Sequence, residues 1–330
     1  MKKLIKIAAF VLAALMLTSC GAGNTESKPK TQKQDKVNLF VISGPTGIGS
    51  LNLWEKSDNG ETENKYNVTL TSSNDEVVAA LSNGSADIAA VSTVLASTVY
   101  NKTKGKIKVL AVNTTGVLSI LSKEDITTFS DLRGKTLYSM GQGANPEYIL
   151  NYLLAKNGLD PKKDLTVKFV AEASELLTVW ANEPKAAIMA PQPVTTSLLA
   201  RNTGCKKVLD MTEEWNKVSL DSSLMMGCVI ARSDYIKSNP KAVKTFLKEY
   251  NKSVLAAQND VKGTAKLCAE KRIISNAALA EKAIPECGLT VVLGEEMKTG
   301  LSGYLKAMFE QNPKSVGGEL PKDDFYYDEK

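Results

Sequence analysis

Histidine is absent from all 330 residues. Its absence removes the commonest general base and the commonest metal ligand, and it excludes Ser-His-Asp and Cys-His catalytic machinery. Cysteine is scarce, five in all, and no two stand in a Cys-x-x-Cys pair, so a zinc site is not expected. Arg133, Arg201, Arg232 and Arg272 are the only arginines. No long Lys/Arg run occurs, and nothing in the charge pattern points to nucleic acid. After Leu17 no apolar run approaches the roughly 20 residues needed to span a bilayer. The glycine-rich stretch Gly44-Pro45-Thr46-Gly47-Ile48-Gly49 lacks the Gly-Lys-Ser/Thr ending of a phosphate-binding P-loop.

What is present begins with compartment. Lys2, Lys3 and Lys6 precede an apolar run from Ile7 to Leu17, which ends in Leu17-Thr18-Ser19-Cys20-Gly21. A basic start, a short apolar stretch and a small-residue cleavage site mark a secretory signal over residues 1–19. Leu-Thr-Ser-Cys resembles the bacterial lipobox, which implies lipidation at Cys20 and attachment to the outer face of the cell membrane by acyl chains. Residues 21–36 contain nothing both large and apolar, so 20–35 reads as a lipidated, disordered tether. Removing Lys2, Lys3 and Lys6 lowers Lys+Arg from 41 to 38 against 36 acidic residues, nearly neutral.

The body has 43% hydrophobic residues, enough for a substantial core. Val37–Ser43 is almost continuously apolar, as in a strand covered on both faces. Strands at 67–72, 86–91 and 107–112 alternate with helices, the first capped by Asn74 or Asp75 and stopped at Asn83-Gly84. The second half repeats the plan: strands at 135–139, 165–170, 186–189, 207–209 and 225–231, with a helix opened by Asn145 as cap and Pro146 in its first turn. A long amphipathic helix follows, with Val243, Phe246, Leu247, Tyr250, Val254 and Leu255 on one stripe. From there to about residue 311 the pattern is helical, and the tail DDFYYDEK reads as a surface strap or disordered. Strands alternating with helices predict an α/β fold with parallel sheets. Cys205, Cys228, Cys268 and Cys287 read as small buried residues, with a Cys268–Cys287 bridge as the alternative.

Four segments carry a family resemblance. Phe129–Leu137 (FSDLRGKTL), Asn83–Ile88 (NGSADI), the Ala155–Pro161 run (AKNGLDP) and Ser233–Lys248 (SDYIKSNPKAVKTFLK) stand in one order over about 37–257. Together they resemble type II periplasmic-binding-protein folds, in particular the nitrate/sulfonate/taurine/thiamine-precursor (NMT1/THI5-like) subgroup. The resemblance implies two Rossmann-like lobes, 36–113 plus 225–330 and 114–224, with a ligand cleft between them and crossings near 112–119 and 221–227. It implies a solute-binding lipoprotein, a monomer, that serves an ABC permease and its ATPase and touches the membrane through its lipid anchor only. A ligand sensor or an enzyme on the same fold is the alternative. No cofactor and no metal are expected.

Ligands of open α/β sheets bind beyond the strand C-termini, beside helix N-termini. That rule selects Pro45, Thr46 and Gly47; Ser73; Ser92 and Thr93; Gln142, Gly143, Ala144 and Asn145; and Gln192. These positions are rich in hydroxyls, amides and free N–H groups and lack charge, which suits a small polar or anionic organic molecule. Trp54 and Tyr148 read as core or rim residues, with stacking on a ligand ring the alternative.

Overall fold

The computed structural model describes residues 34–201, 204–219 and 222–328. The signal segment, Cys20 and the tether as far as residue 33 lie outside the described residues; the last two residues of the expected tether belong to the body, Gln34 donating to the Thr62 carbonyl and the Asp35 carbonyl accepting from the Lys65 N–H. Gln34–Lys330 forms one compact unit.

The chain runs β1 (Lys36–Ile42), α1 (Pro45–Ile48), α2 (Leu51–Asp58), β2 (Lys65–Thr71), α3 (Asn74–Asn83), β3 (Ile88–Ser92), α4 (Thr93–Lys102) and β4 (Ile107–Thr114). Next come β5 (Leu118–Ser122), β6 (Thr136–Met140), α5 (Asn145–Lys156), β7 (Thr166–Val170), α6 (Ala173–Leu176), α7 (Val179–Asn182), β8 (Ala187–Pro191), α8 (Val194–Arg201), β9 (Lys206–Asp210) and α9 (Met211–Val218). The last part is β10 (Gly227–Arg232), α10 (Ser233–Ser238), α11 (Pro240–Asn259), α12 (Val261–Glu270), α13 (Ala277–Ala283), β11 (Leu289–Val292) and α14 (Gly294–Gln311).

Two sheets result. One is six-stranded, in the order β11-β4-β10-β3-β1-β2; the other is five-stranded, in the order β7-β6-β8-β5-β9. In the first, β1 is parallel to β2 and β3, while β10 runs antiparallel between β3 and β4. In the second, β6 is parallel to β7 and β8, and β5 is antiparallel to β8 and β9.

Successive side chains of a strand point to opposite faces, and here both faces are covered. Val37, Leu39 and Val41 enter a core with α2, α11 and α12, whereas Phe40 and Ile42 pack against a second core. In the other sheet Ile188 and Ala190 belong to a core with α7 and α8, while Ala187 and Met189 face the second core. This double burial is why the strands read as near-continuous apolar runs. The second core is shared by the two sheets. Its bridge is α14, whose Met297, Leu301, Tyr304, Leu305 and Met308 form a fully buried stripe at helical spacing. Trp215 of α9 stacks on Tyr152 of α5 at 4.5 Å and lies 5.6 Å from the Tyr304 ring, joining elements of both sheets.

Several expectations need correction. The α3 cap is Ser73, whose hydroxyl accepts from the Glu76 N–H, not Asn74 or Asp75. Asn145 is the first residue of α5, and Ala144 holds the cap position without a side-chain bond. The wholly helical reading after α11 missed β11, a four-residue strand on the edge of the first sheet. Leu255 leaves the buried stripe of α11 and is exposed. The tail is held in place: Phe325 is fully buried against Tyr100, and the Tyr327 N–H donates to the Val109 carbonyl. Cys205, Cys228, Cys268 and Cys287 are free thiols, the last three buried, and no Cys268–Cys287 bridge forms. Desolvation pushes the Cys268 and Cys287 thiols up to about 12.

Candidate functional site

The strand pairing fixes which tips share an edge. In the first sheet β1, β2, β3 and β4 all end on one edge, and β10 begins there. Gly227 stands opposite Ser92 on one side and Thr114 on the other. A Cβ on Gly227 would lie 2.7 Å from both Thr46 Oγ1 and Asn113 Oδ1, so only glycine lets these groups close together. Asn113 donates to the Thr46 carbonyl (3.1 Å) and to the Tyr250 hydroxyl (2.8 Å). Burial pushes that phenol up to about 12, keeping it neutral. Thr46, Ser92, Asn113, Thr114 and Gly227 therefore form one cluster.

The other residues selected on this sheet divide by role. Pro45 opens α1 behind Gly44, whose φ of 117 is open to glycine alone. Gly47 is buried, and a Cβ there would meet the Ile42 carbonyl at 2.7 Å, so its part is packing under the turn. Ser73 and Ser92 spend their hydroxyls capping α3 and α4, but both lie at helix N-termini with N–H groups directed outward. Thr93 is turned away: its buried hydroxyl donates to the Met225 carbonyl at 2.6 Å, clasping the segment that returns from the second sheet.

In the second sheet β6, β7, β8 and β9 end on one edge and β5 begins there. Gln142, Gly143 and Ala144 form an exposed turn between β6 and α5. Gly143 takes φ 71 and donates to a Glu147 carboxylate oxygen at 2.6 Å. Asn145 is 7% exposed, and its Oδ1 has no hydrogen-bond partner among the described residues. Tyr148 is buried; its hydroxyl donates to the Gly143 carbonyl (3.0 Å) and accepts from Asn312 (3.4 Å) just beyond α14. Trp54 lies within α2, with the Lys271 ammonium 4.5 Å from its ring centroid.

Gln192 is held within the second part and faces residues of the first. Its N–H donates to the Val117 carbonyl at 2.9 Å, and its Oε1 accepts from the Thr196 hydroxyl at 2.7 Å. It lines a cavity of about 380 Å³ together with Thr195, Thr196 and Lys207 on one side and Lys282 and Glu286 on the other. Lys207 and Glu286 pair at 3.0 Å across it. Burial works against the Lys207 ammonium, but the hydrogen bond and charge of Glu286, with Asp210, outweigh it and raise its pKa.

The two edges are tied closely. Only Thr115-Gly116-Val117 lies between the end of β4 and the start of β5. At no more than about 3.6 Å per residue, that link keeps the two edges within about 14 Å of each other where it crosses. The return strand is anchored too: the Met226 N–H donates to the Thr114 carbonyl and its carbonyl accepts from the Thr93 N–H.

Sequence reasoning missed Asn113, Thr114, Gly227 and the ion pair. Asn113-Thr114 did leave a signal, a polar pair ending the apolar run of β4. The Lys207–Glu286 approach left none, because those residues lie far apart in the chain.

By sequence, residues 63–262 match the model of a family described as NMT1/THI5 like. No curated protein matches the chain. Among solved structures, an ABC transporter from Parabacteroides distasonis aligns with a TM-score of 0.76 at 22% identity, covering 90% of this chain and 100% of that one. The periplasmic aliphatic sulphonate binding protein SsuA from Escherichia coli aligns at 0.68 and 14%, covering 86% and 90%. The periplasmic nitrate-binding protein NrtA from Synechocystis PCC 6803 aligns at 0.55 and 16%, covering 80% and 75%. These likenesses establish the two-sheet periplasmic-binding-protein fold. On the match over 63–262, the chain belongs to the NMT1/THI5-like family.

Proposed function

We propose that this protein is an extracytoplasmic solute-binding lipoprotein of an ABC importer. In this reading residues 1–19 are a signal peptide, Cys20 carries the lipid, and 36–113 with 225–330 and 114–224 are the two lobes of a clamp. The ligand is a small polar or anionic organic molecule, such as a sulfonate or a pyrimidine. The observation that carries the reading is the meeting of two parallel-strand edges across a three-residue link, each edge lined by helix N-termini and uncharged hydroxyl and amide groups.

Such an edge favours an anion through unpaired N–H groups and helix dipoles, each contributing about 0.3–1 kcal/mol. The binding groups are Thr46, Ser92, Asn113 and Thr114 from one sheet and Gln142, Gly143, Asn145 and Gln192 from the other. The orphan Asn145 Oδ1 requires a donor when water is expelled, and a hydroxyl, amino or amide N–H on the ligand supplies it. A ligand that touches both edges shifts the open–closed balance by its differential affinity, and hinge closure follows at the two crossings. The closed form is what a permease then recognises. Catalysis is not part of the reading: the chain has no histidine, and the Lys207 and Glu286 beside Gln192 are engaged with each other in an ion pair.

The test is a thermal-shift screen of sulfonates, pyrimidines, flavins, nitrate and small carboxylates, followed by solution scattering. A true ligand at 100 times its Kd adds about 2.7 kcal/mol to unfolding and contracts the radius of gyration. A protein stabilised by none of these classes, or one whose dimensions ignore every ligand that does stabilise it, would overturn the proposal.

A further inference from the structure

At the opposite end of the first sheet, where β1 and β3 begin and β10 ends, a groove of about 1130 Å³ runs between α3, the α4–β4 turn and α10. Its cationic lining is Lys102, Lys104, Lys106, Lys108, Arg232 and Lys237, against the carboxylates of Asp234 and Asp324. Both acids are engaged: Asp234 pairs with Arg232, and Asp324 accepts from the Tyr100 hydroxyl while its carbonyl accepts from Lys108. Asp87 beneath is shared between Arg232 and Asn38. Among the described residues Lys102, Lys104, Lys106 and Lys237 make no ion pair. The first three alternate along five residues and are exposed, as is Lys237.

The floor of the groove is built around Arg232. Its guanidinium lies over Gly84, filling space a side chain there would otherwise take, with Nη1 2.4 Å from where a Cβ would stand; the left-handed φ of 83 is what favours glycine at this position. The guanidinium thus covers the C-terminal, electronegative end of α3. Its buried Nε faces Asp234 Oδ1 at 3.3 Å, an ion pair rather than an aligned hydrogen bond. The fixed floor is neutralised, while the rim keeps a surplus of unpaired lysines.

The polypeptide enters the body at this same end. The Asn38 N–H donates to Asp87, and the Lys36 carbonyl accepts from Tyr235, which sits between Asp234 and Ile236 of the groove. Fourteen residue steps separate Cys20 from Gln34. At no more than about 3.6 Å each they hold this face within about 50 Å of whatever carries Cys20.

We propose that this lysine-rimmed groove is a docking surface for the anionic phospholipid headgroups of the membrane. The proposal rests on the lipoprotein reading for its biological setting, and it adds a protein contact to the lipid anchor. A body resting on this face holds the candidate binding edges, at the other ends of the strands, toward solution. Attraction between clustered lysines and an acidic leaflet is short-ranged and screened by salt.

The test uses the chain from residue 20 with Cys20→Ser, so no acyl chain contributes. Cosedimentation with vesicles of phosphatidylcholine alone and of phosphatidylcholine with phosphatidylglycerol is measured at about 50 mM and about 500 mM salt. The expected result is at least about tenfold stronger partitioning onto the anionic vesicles at low salt, lost at high salt. Lys102→Glu/Lys104→Glu/Lys106→Glu removes the gain, while the same charge change at Lys162, Lys163 and Lys185 on the second-sheet side keeps most of it. Equal partitioning onto both vesicle types, equal loss in the two triple variants, or displacement by inorganic phosphate at constant ionic strength would each overturn the proposal. Solute binding by the groove variant, followed by thermal shift, stays at the unsubstituted level. Failure of the groove thus remains separate from failure of the solute-binding reading, which the ligand screen decides.

Discussion

At the scale of single residues, the edge of the first sheet depends on the absence of one side chain. Gly227 has ordinary neighbours in sequence, and nothing in the pattern of β10 marks it. Its importance arises because Thr46, Asn113 and Thr114, from two other elements, close around the place where a Cβ would be. Gly227→Val is expected to cost about 1–3 kcal/mol of stability by overpacking. It should also remove ligand-induced stabilisation, because Asn113 would be pushed off the Thr46 carbonyl and the Tyr250 hydroxyl. Urea midpoints with and without ligand measure both effects; an unchanged midpoint with ligand response intact would contradict this account of the edge. The positions that sequence rules did select lie where a strand ends and a helix begins, as at Thr46, Ser92 and Asn145, though of these only Ser92 is a cap. The same rules selected Thr93 and Gly47, whose chemistry the packing uses internally.

At the scale of elements, long apolar runs and the long amphipathic α11 were legible, while a short edge strand was not. β1, β3 and β10 are buried on both faces, so composition alone signals them. β11 is four residues on a sheet edge, with Val292 aligned to Val112, and its Leu-Thr-Val-Val is equally readable as the approach to a helix. The C-terminal tail, read as a surface strap or disordered, is a strap with a buried anchor: Phe325 fills a site against Tyr100, and Tyr326 bridges to Val109 in parallel. Ending the chain after Lys322 deletes this plug. The expected loss is about 3–5 kcal/mol, the range for removing a buried Phe, read as a lower urea midpoint. A truncated protein as stable as the whole would mean the tail adds no packing energy.

At the scale of the whole molecule, composition sets the pH behaviour. With no histidine, no side chain has its unperturbed pKa between about 5 and 8, so unfolding free energy should be flat across that window. Asp131 is held down to about 2 by the N–H groups of Thr127 and Thr128 and by their hydroxyls. Asp125, Asp160 and Glu183 are lowered as well, the first by its hydrogen bond to Lys206, the second by the Lys162 N–H and the third by its hydrogen bond to Lys168. A depressed carboxylate stabilises above its unfolded pKa, and the benefit disappears as pH falls through the folded value. Stability should therefore decline below about pH 4. The buried Cys268 and Cys287 thiols, raised to about 12, work the other way. Their contribution is complete below the unfolded value of about 8.5 and is lost progressively as pH rises toward 12. Urea titrations at stepped pH measure the profile, and a break near pH 6.5 would refute the plateau.

The sequence alone determined the alternation of strands with helices and the strands covered on both faces. Both follow from the local period and placement of apolar and polar residues, which a chain records directly. Only the tertiary structure decided that α14 joins the sheets through a shared core. It likewise decided that Gln192, Lys207 and Glu286 border one cavity, and that a lysine-rimmed groove gathers where the chain enters the body. Those features depend on contacts between residues as much as 224 positions apart. A one-dimensional pattern carries no term for such distances; they are fixed only when strand order and register bring the residues together.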